Sequence, residues 1–399
     1  MAGKTVSPPR IEALRVRNYR ALRDIEFKKL APLTVLIGAN GSGKSTVFDV
    51  FAFLSECFTE GLRRAWDRRG RFRELRSRDA DGPIVIEIEY REKQASPLVI
   101  YSLEIDEGDD GPFIAREHLR WKRAPAGEQT NLLEFKNGRG HAISETPLLY
   151  DAATALPRSP ERTLASPEML AVNTLGQLRE YPHATALREF VTGWHLSWEL
   201  VEDMRGVPDA GPKEHLSRTG DNLANVIQYL RERHPDHLEH LIATLCRRVP
   251  CLEKVNSEVL GDGRLLLKFK DAPFDRSFAA EFVSRGTIKL LAYLTLIHDP
   301  DPMPLIGVEE PENSLYPGLQ WELADGFATA AQRSQILVTT HSPYFLNPLA
   351  PEQIHVLYRA EDGFTRVSRA ADIPGIPDFM EEHAILGDLW MEGYLKSGN

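Results

Sequence analysis

The 399-residue chain is poor in cysteine, in long apolar runs and in positive charge. Its three cysteines, Cys57, Cys246 and Cys251, form neither an even set for disulfides nor a metal-type spacing. That excludes a disulfide scaffold and a cysteine-held zinc module, and it fits a reducing compartment. The longest apolar stretch, Leu290–Ile297, falls far short of the roughly 20 residues that span a bilayer, so no membrane span is expected. The first residues, MAGKTVSPPRIEALRVR, carry no apolar core of the signal-peptide kind, and the expected location is cytoplasmic. Acidic side chains outnumber basic ones 58 to 48, a formal net charge of −10. This excludes a surface coated with nucleic-acid contacts, so any such contact needs a local basic patch. There is no internal repeat, no low-complexity tract and no heptad run long enough for a coiled coil. What is present is 42% hydrophobic and 27% charged residues, material for one large domain or two to three ordinary ones.

Along the chain, Ile11–Arg20 alternates as a strand and LRDIEFKKL reads as a second strand antiparallel to it. Pro32–Gly38 is a short continuous apolar run, the pattern of a strand buried on both faces, and it leads through glycine into a helical stretch, STVFDVFAFLSECF. An arginine-rich segment, Gly61–Arg78, precedes four stretches that read as antiparallel strands: PIVIEIEY, PLVIYSLEI, GPFIAREHLRW and NLLEFKNG. From about Glu161 to Val249 the pattern is helical. Strands return near Leu252–Val259 and Arg264–Lys270, then a helix at Arg285–His298, a strand ending in acids, a helix at Leu319–Ala331 and the strand QILVTT. The division expected from this order is 1–160, 161–276 and 277–399.

GANGSGKST, Gly38–Thr46, fits the pattern G-x-x-x-x-G-K-[ST] and sits between a buried strand and a helix, the context the pattern requires. Glycines let the backbone wrap a phosphate chain with its N–H groups, and the helix that follows points its positive end at the same anion. Asn40, Gly41, Ser42, Gly43, Lys44, Ser45 and Thr46 are therefore the candidate nucleotide contacts. Lys44 would reach the β and γ phosphates of ATP, and Ser45 would ligate Mg2+. The strand in IGVEEPENSLYP, Ile306–Pro317, delivers two adjacent carboxylates. Neighbours at a strand end point opposite ways and can serve two purposes. Glu309 would hold Mg2+ through water, and Glu310 would polarise the attacking water. Solvated acids on a surface strand are the plain alternative.

Two further stretches follow the same logic. FVSRGTIKLLAYLTLI places Ser284 and Gly286 at a helix start, where the hydroxyl and nearby amides could form a second anion site; an ordinary capped core helix is the plain alternative. ILVTTHSPYFLN ends a strand at His341.

The order of phosphate loop, Ser-x-Gly-Thr helix start, acidic strand and strand-histidine resembles the ABC-type ATPase heads of the RecF/SMC branch. Within that branch the chain looks most like OLD-like ATPases with an EEPEN-x-L-x-P acidic strand. The resemblance covers NYRALRDIEF, residues 32–60 and residues 277–348. It implies an α/β P-loop NTPase of ABC-head type, with a mixed central sheet, an antiparallel β lobe and a helical lobe. It also implies ATP and Mg2+ as cofactors, Lys44, Glu310 and His341 as catalytic residues with His341 as the switch histidine, and Ser45 and Glu309 as the metal site. Ser284 and Gly286 would contact the nucleotide of a second copy in a head-to-tail homodimer that ATP closes and hydrolysis opens. The chain departs from the pattern in having Glu309 where aspartate is usual and VSRGT as its signature. No glutamine matches the family's Q-loop, Gln94 and Gln177 being weak candidates. The stretch after His341 is too short for a TOPRIM domain, so a nuclease or effector is expected to be a separate protein.

Gly61–Arg78 holds eight arginines against Asp67 and Glu74. Guanidinium forks suit phosphates, and Trp66 and Phe72 could pack on sugar or base. Double-stranded DNA contact through Arg63, Arg64, Arg68, Arg69, Arg71 and Arg73 is one expectation, with a role in repair or anti-phage defence. A solvated face is the plain alternative. The competing functional expectation is an ATP-gated protein-interaction module that controls a separate effector without DNA.

Overall fold

The computed structural model describes residues 8–93, 95–122, 129–144, 160–197 and 201–395. The chain forms two compact units, one of residues 1–194, 351–377 and 395–399, the other of residues 195–350 and 378–394.

The first unit opens with β1 (Arg10–Tyr19), β2 (Leu22–Phe27) and β3 (Leu33–Ile37), then α1 (Lys44–Thr59), α2 (Leu62–Asp67) and α3 (Arg71–Leu75). It continues through β4 (Ile84–Arg91), β5 (Leu98–Gly108), β6 (Gly111–Lys122), β7 (Gln129–Lys136), β8 (Arg139–Ala142), β9 (Arg162–Thr163), α4 (Ala171–Leu175) and α5 (Pro182–Thr192). Eight strands form one antiparallel sheet in the order β2-β1-β4-β5-β6-β7-β8-β9. The alternation in the sequence sets its faces: along β4 every second residue, from Ile84 to Tyr90, is buried. β3 is buried at all five positions, as a continuous apolar run requires. It pairs in parallel with a later strand of the same unit, β16 (Ile354–Arg359), which turns into antiparallel β17 (Thr365–Arg369). Helix α1 is apolar nearly all round and correspondingly buried. Phe53 meets Tyr19 and Trp66, and Phe51 meets Trp194 edge-on.

A buried acid staples this unit. The Glu117 carboxylate on β6 accepts N–H bonds from Ala171 and Val172 at the start of α4 and the hydroxyl of Tyr101 on β5. Complete burial outweighs these three donors and pushes its pKa from 4.5 to about 7. A carboxyl whose folded pKa is raised binds its proton more tightly in the native state. Its contribution is therefore full below pH 4.5 and is lost as pH rises through 7. The stability difference between wild type and Glu117→Gln, which cannot titrate, is expected to shift against wild type by up to about 3 kcal/mol across that window. Urea unfolding of both proteins from pH 4.5 to 8 measures it, and parallel pH profiles would refute it.

The second unit contains β10 (His195–Ser197), α6 (Val201–Met204), α7 (Leu223–Arg233), α8 (Pro235–Arg248), β11 (Leu252–Val259), β12 (Leu265–Asp271), β13 (Phe278–Ala279), α9 (Arg285–Ile297), β14 (Leu305–Glu309), α10 (Pro317–Ala330), β15 (Gln335–Thr339) and α11 (Pro343–Leu346). β14 lies between β10 and β15 and is parallel to both. β10 falls inside the stretch that reads as helical: three residues are too few to show a period, and pairing with β14 decides their state. The fold is the mixed α/β class that the motif order implies, with an antiparallel β part in the first unit and a helical part in the second.

Candidate functional site

The phosphate loop belongs to the first unit. β3 ends at Ile37, and the loop runs to Gly43, the N-cap of α1, at φ +106°. Gly43 has no side chain with which to cap this helix start, so the N-cap position leaves the first amides of α1 open to a ligand or to water. Gly41 also lies at positive φ, and a Cβ on Gly43 would stand 2.4 Å from Thr365 Oγ1, so a side chain there would break the loop's closure. The Lys44 ammonium is buried and donates to the carbonyls of Gly38 (2.9 Å) and Ala39 (3.2 Å), which arches it over its own loop. Ser42 Oγ is buried with no hydrogen-bond partner, an orphaned polar atom inside the cradle. Asn40, Gly41 and Ser45 are exposed and Thr46 is half-buried. An uncapped helix start, an orphaned hydroxyl and a glycine-shaped cradle fit a polyphosphate. The exposed Ser45 hydroxyl is an oxygen donor of the kind Mg2+ takes.

Two bracing residues escape a reading of the sequence. Thr365 Oγ1 donates to the Ser42 carbonyl at 2.9 Å, and Arg359 Nε donates to the Gly41 carbonyl at 2.9 Å. Both come from the β16–β17 hairpin, more than 300 residues along the chain. Nothing local in the sequence announces them.

The remaining candidates belong to the second unit. Glu309 ends β14 opposite Thr339 on β15. Glu310 follows in the left-handed region, φ +44°, directly before Pro311. Its N–H donates to the Thr339 carbonyl (2.8 Å) and its carboxylate accepts from Asn313 Nδ2 (2.8 Å). His341 Nε2 lies 3.5 Å from the same carboxylate. The structure thus brings Glu310 and His341 together, as far as this unit is concerned. The third glutamate of the run, Glu312, accepts the backbone N–H of His341 at 2.6 Å, while its other oxygen is buried without a partner. Ser342 Oγ donates to Gln320 Oε1. Gln320 Nε2 in turn lies 3.5 Å and 3.4 Å from the carbonyls of Glu312 and Leu315. This network welds the turn after β14 to the turn after β15.

Ser284 is the N-cap of α9, accepting the Thr287 N–H at 3.1 Å, so its hydroxyl first satisfies its own helix. A Cβ on Gly286 would stand 2.5 Å from the Ser314 carbonyl, which explains the glycine as a point of close approach. Beside them is a cleft of about 690 Å³ that Ser284, Gly286, Tyr316, Arg247 and Glu322 help to line. Lys289, which the motif reading passes over, is fully buried on α9 and donates to the carbonyls of Glu310 and Asn313. Gln94 lies outside the described residues, and Gln177 is exposed, its amide 3.3 Å from the Asn173 carbonyl.

The arginine segment forms α2, α3 and their turn in the first unit, and much of its charge is matched. Arg69 is nearly buried between Asp49 (2.8 Å) and Glu56 (2.7 Å), and Asp49 also takes Arg20 and the Tyr19 hydroxyl. Arg63 forks onto Glu168, Arg68 pairs with Glu60 and Arg71 with Asp67. Arg64 and Arg73 are exposed, the latter 3.8 Å from Glu74. Trp66 is not available to a base: it is completely buried, stacks on Phe72 and donates to Glu107. A composition count sees eight arginines but not the acids that fold back onto them.

A phosphate loop, an acid-tipped parallel strand and a strand-end histidine define the ABC-type NTPase head. Residues 33–347 match the family described as "AAA domain, putative AbiEii toxin, Type IV TA system", and the chain belongs to that family. No curated protein sequence matches it. Among solved structures it is similar to an SMC head bound to the C-winged helix domain of ScpA, at 14% identity and a TM-score of 0.51, covering 90% of this chain and 97% of that one. It also matches the SMC head domain from Thermotoga maritima, at 12% identity, a TM-score of 0.42 and coverage of 90% and 98%. The likeness to the first is one of fold: the chain has the mixed α/β fold of the SMC head.

Proposed function

We propose that the chain binds ATP with Mg2+ and hydrolyses it, working as a head-to-tail homodimer. The observation that carries this reading is the phosphate loop: a buried lysine arched over glycines, an orphaned Ser42 hydroxyl and an uncapped helix start. Bound Mg2+ supplies charge neutralisation to the phosphates. Lys44 and the amides of Asn40–Thr46 hold the phosphate chain, and the Ser45 hydroxyl and Glu309 orient the metal. Glu310 takes a proton from the attacking water, with Asn313 and His341 steering its carboxylate. His341 is kept in place from its backbone by Glu312. Ser284 and Gly286, at the start of α9, face the nucleotide of the second copy.

For the partner of this cycle, the ion pairing of the arginine segment favours an ATP-gated protein-interaction module over a DNA-linked enzyme of repair or anti-phage defence. Arg63, Arg68, Arg69 and Arg71 already hold carboxylates of their own unit, so phosphates would have to displace them. The test is steady-state ATP turnover with and without double-stranded DNA, with Lys44→Ala as the blank. Turnover above the blank, changed less than about twofold by DNA, is expected. Stimulation by DNA that fades as salt rises would restore the DNA reading. No turnover above the blank would refute the ATPase.

A further inference from the structure

Glu310 is held in a conformation it would not choose. A non-glycine residue in the left-handed region costs about 1–2 kcal/mol, and the proline that follows narrows the choice further by favouring extended backbone. Such a conformation persists only where the surroundings over-determine it. Thr339 holds the Glu310 N–H from one side. From the other comes Lys289 Nζ, 3.2 Å from the Glu310 carbonyl and 2.7 Å from that of Asn313. These two carbonyls bracket the turn that carries Pro311 and Glu312.

The placement of Lys289 is itself costly. It is completely shielded from solvent on a helix whose other buried residues, from Ile288 to Leu296, are mostly apolar. A leucine there would serve packing alone, whereas an amine buried this deeply is tolerated only for the bonds it makes. One of those bonds leads to the backbone of Glu310, the residue assigned as general base, and a second to Asn313 in the same turn. The same helix touches the same turn a second time, where Gly286 approaches the Ser314 carbonyl.

We propose that Lys289 is a positioning residue: it pins the turn after β14 so that the Glu310 carboxylate is aimed, and it ties that aim to α9, the helix that begins at Ser284. The proposal rests on Glu310 acting as the base of ATP hydrolysis. Its contacts to this turn are to backbone carbonyls, and it acts through Glu310.

The experiment compares wild type, Lys289→Met, Lys289→Arg, Glu310→Gln and the Lys289→Met/Glu310→Gln double variant, measuring kcat and, separately, equilibrium ATP affinity. Misaiming a catalytic group by about 1 Å costs about 10²-fold, so Lys289→Met is expected to lose about that much in kcat with ATP affinity kept within about threefold. Lys289→Arg, which keeps a donor to both carbonyls, is expected to recover most of the loss. In the Glu310→Gln background, adding Lys289→Met should change the residual rate less than about twofold, because both act through one carboxylate. Should the methionine variant fail to fold, Lys289→Gln, one amide serving two carbonyls, carries the same comparison. A kcat within twofold of wild type in a folded variant overturns the proposal, as does a loss that adds in full to that of Glu310→Gln. Wild-type protein that fails to turn over ATP sinks the ATPase reading, and this proposal with it. Wild type that turns over while the lysine variants match it sinks this proposal alone.

Discussion

Glu310→Gln is expected to lower ATP turnover by roughly 10²–10⁴-fold while leaving ATP affinity almost unchanged, the size of a lost general base. The substitution is close to isosteric. Glutamine can still accept from Asn313 and can still stand near His341, so the turn after β14 keeps its shape. What it cannot do is take a proton from water. Nucleotide should therefore bind and stay, and a dimer closed by ATP should accumulate instead of cycling. Rapid-quench measurement of hydrolysis separates the chemical step from product release, and light scattering after gel filtration reads the mass with ATP and with ADP. A variant that turns over at the wild-type rate would strip Glu310 of its role. One that loses turnover but stays monomeric with ATP would leave the base assignment standing and remove the homodimer.

Lys44→Ala acts one step earlier. Its ammonium spans the loop from inside, donating to the Gly38 and Ala39 carbonyls. Alanine leaves those carbonyls without that donor and takes away the one lysine in the loop that can meet phosphate oxygens as a positive charge. Loss of ATP binding by about 10²-fold or more is expected, with turnover falling to background. The fold should survive, because β3, α1 and the brace from Thr365 and Arg359 do not depend on that ammonium. Thermal unfolding with and without MgATP checks both statements at once. Wild type should be stabilised by saturating nucleotide, by about 2.7 kcal/mol at a hundredfold excess over Kd, and the variant should show no shift from the same starting point. A variant stabilised as much as wild type would place the nucleotide elsewhere.

The two substitutions separate holding from reacting, and their signatures differ. Lys44→Ala loses affinity, Glu310→Gln loses rate, and Lys289→Met is expected to resemble the second in kind while being weaker. A protein in which all three lost affinity and folding stability in parallel would be one in which these residues are merely structural.

Much of the architecture was legible because its causes are local. The five-residue apolar run of β3 and the alternation of β4 write their burial directly into the sequence. The phosphate loop is legible for a similar reason: its glycines serve conformations at positive φ, and its lysine follows at fixed spacing. The acid pair at the end of β14 was legible as a strand end, while the pairing of Glu309 with Thr339 on β15 came only with the fold.

The partners of polar side chains were not legible. Thr365 and Arg359 brace the phosphate loop from a hairpin far along the chain. Glu312 reads as a third acid in a run, yet it grips the backbone of His341. Lys289 reads as a polar residue in an apolar helix, and only its burial against the Glu310 and Asn313 carbonyls gives it a purpose. In the arginine segment, composition left a phosphate-binding face and a solvated face both open. Folding set Arg69 between Asp49 and Glu56 and drove Trp66 into the core.

The sequence by itself determined most of the longer strands and helices and where a phosphate chain can be wrapped, because period, glycine placement and chain direction act within a few residues, whereas the short β10 took its state from pairing with β14. Tertiary structure alone decided which charges are spent on one another, which hydroxyl is left without a partner in the loop, and which backbone carbonyls the buried Lys289 amine meets. Those outcomes depend on residues that meet only after long loops have closed, and a buried polar group takes its meaning from the atom it meets there.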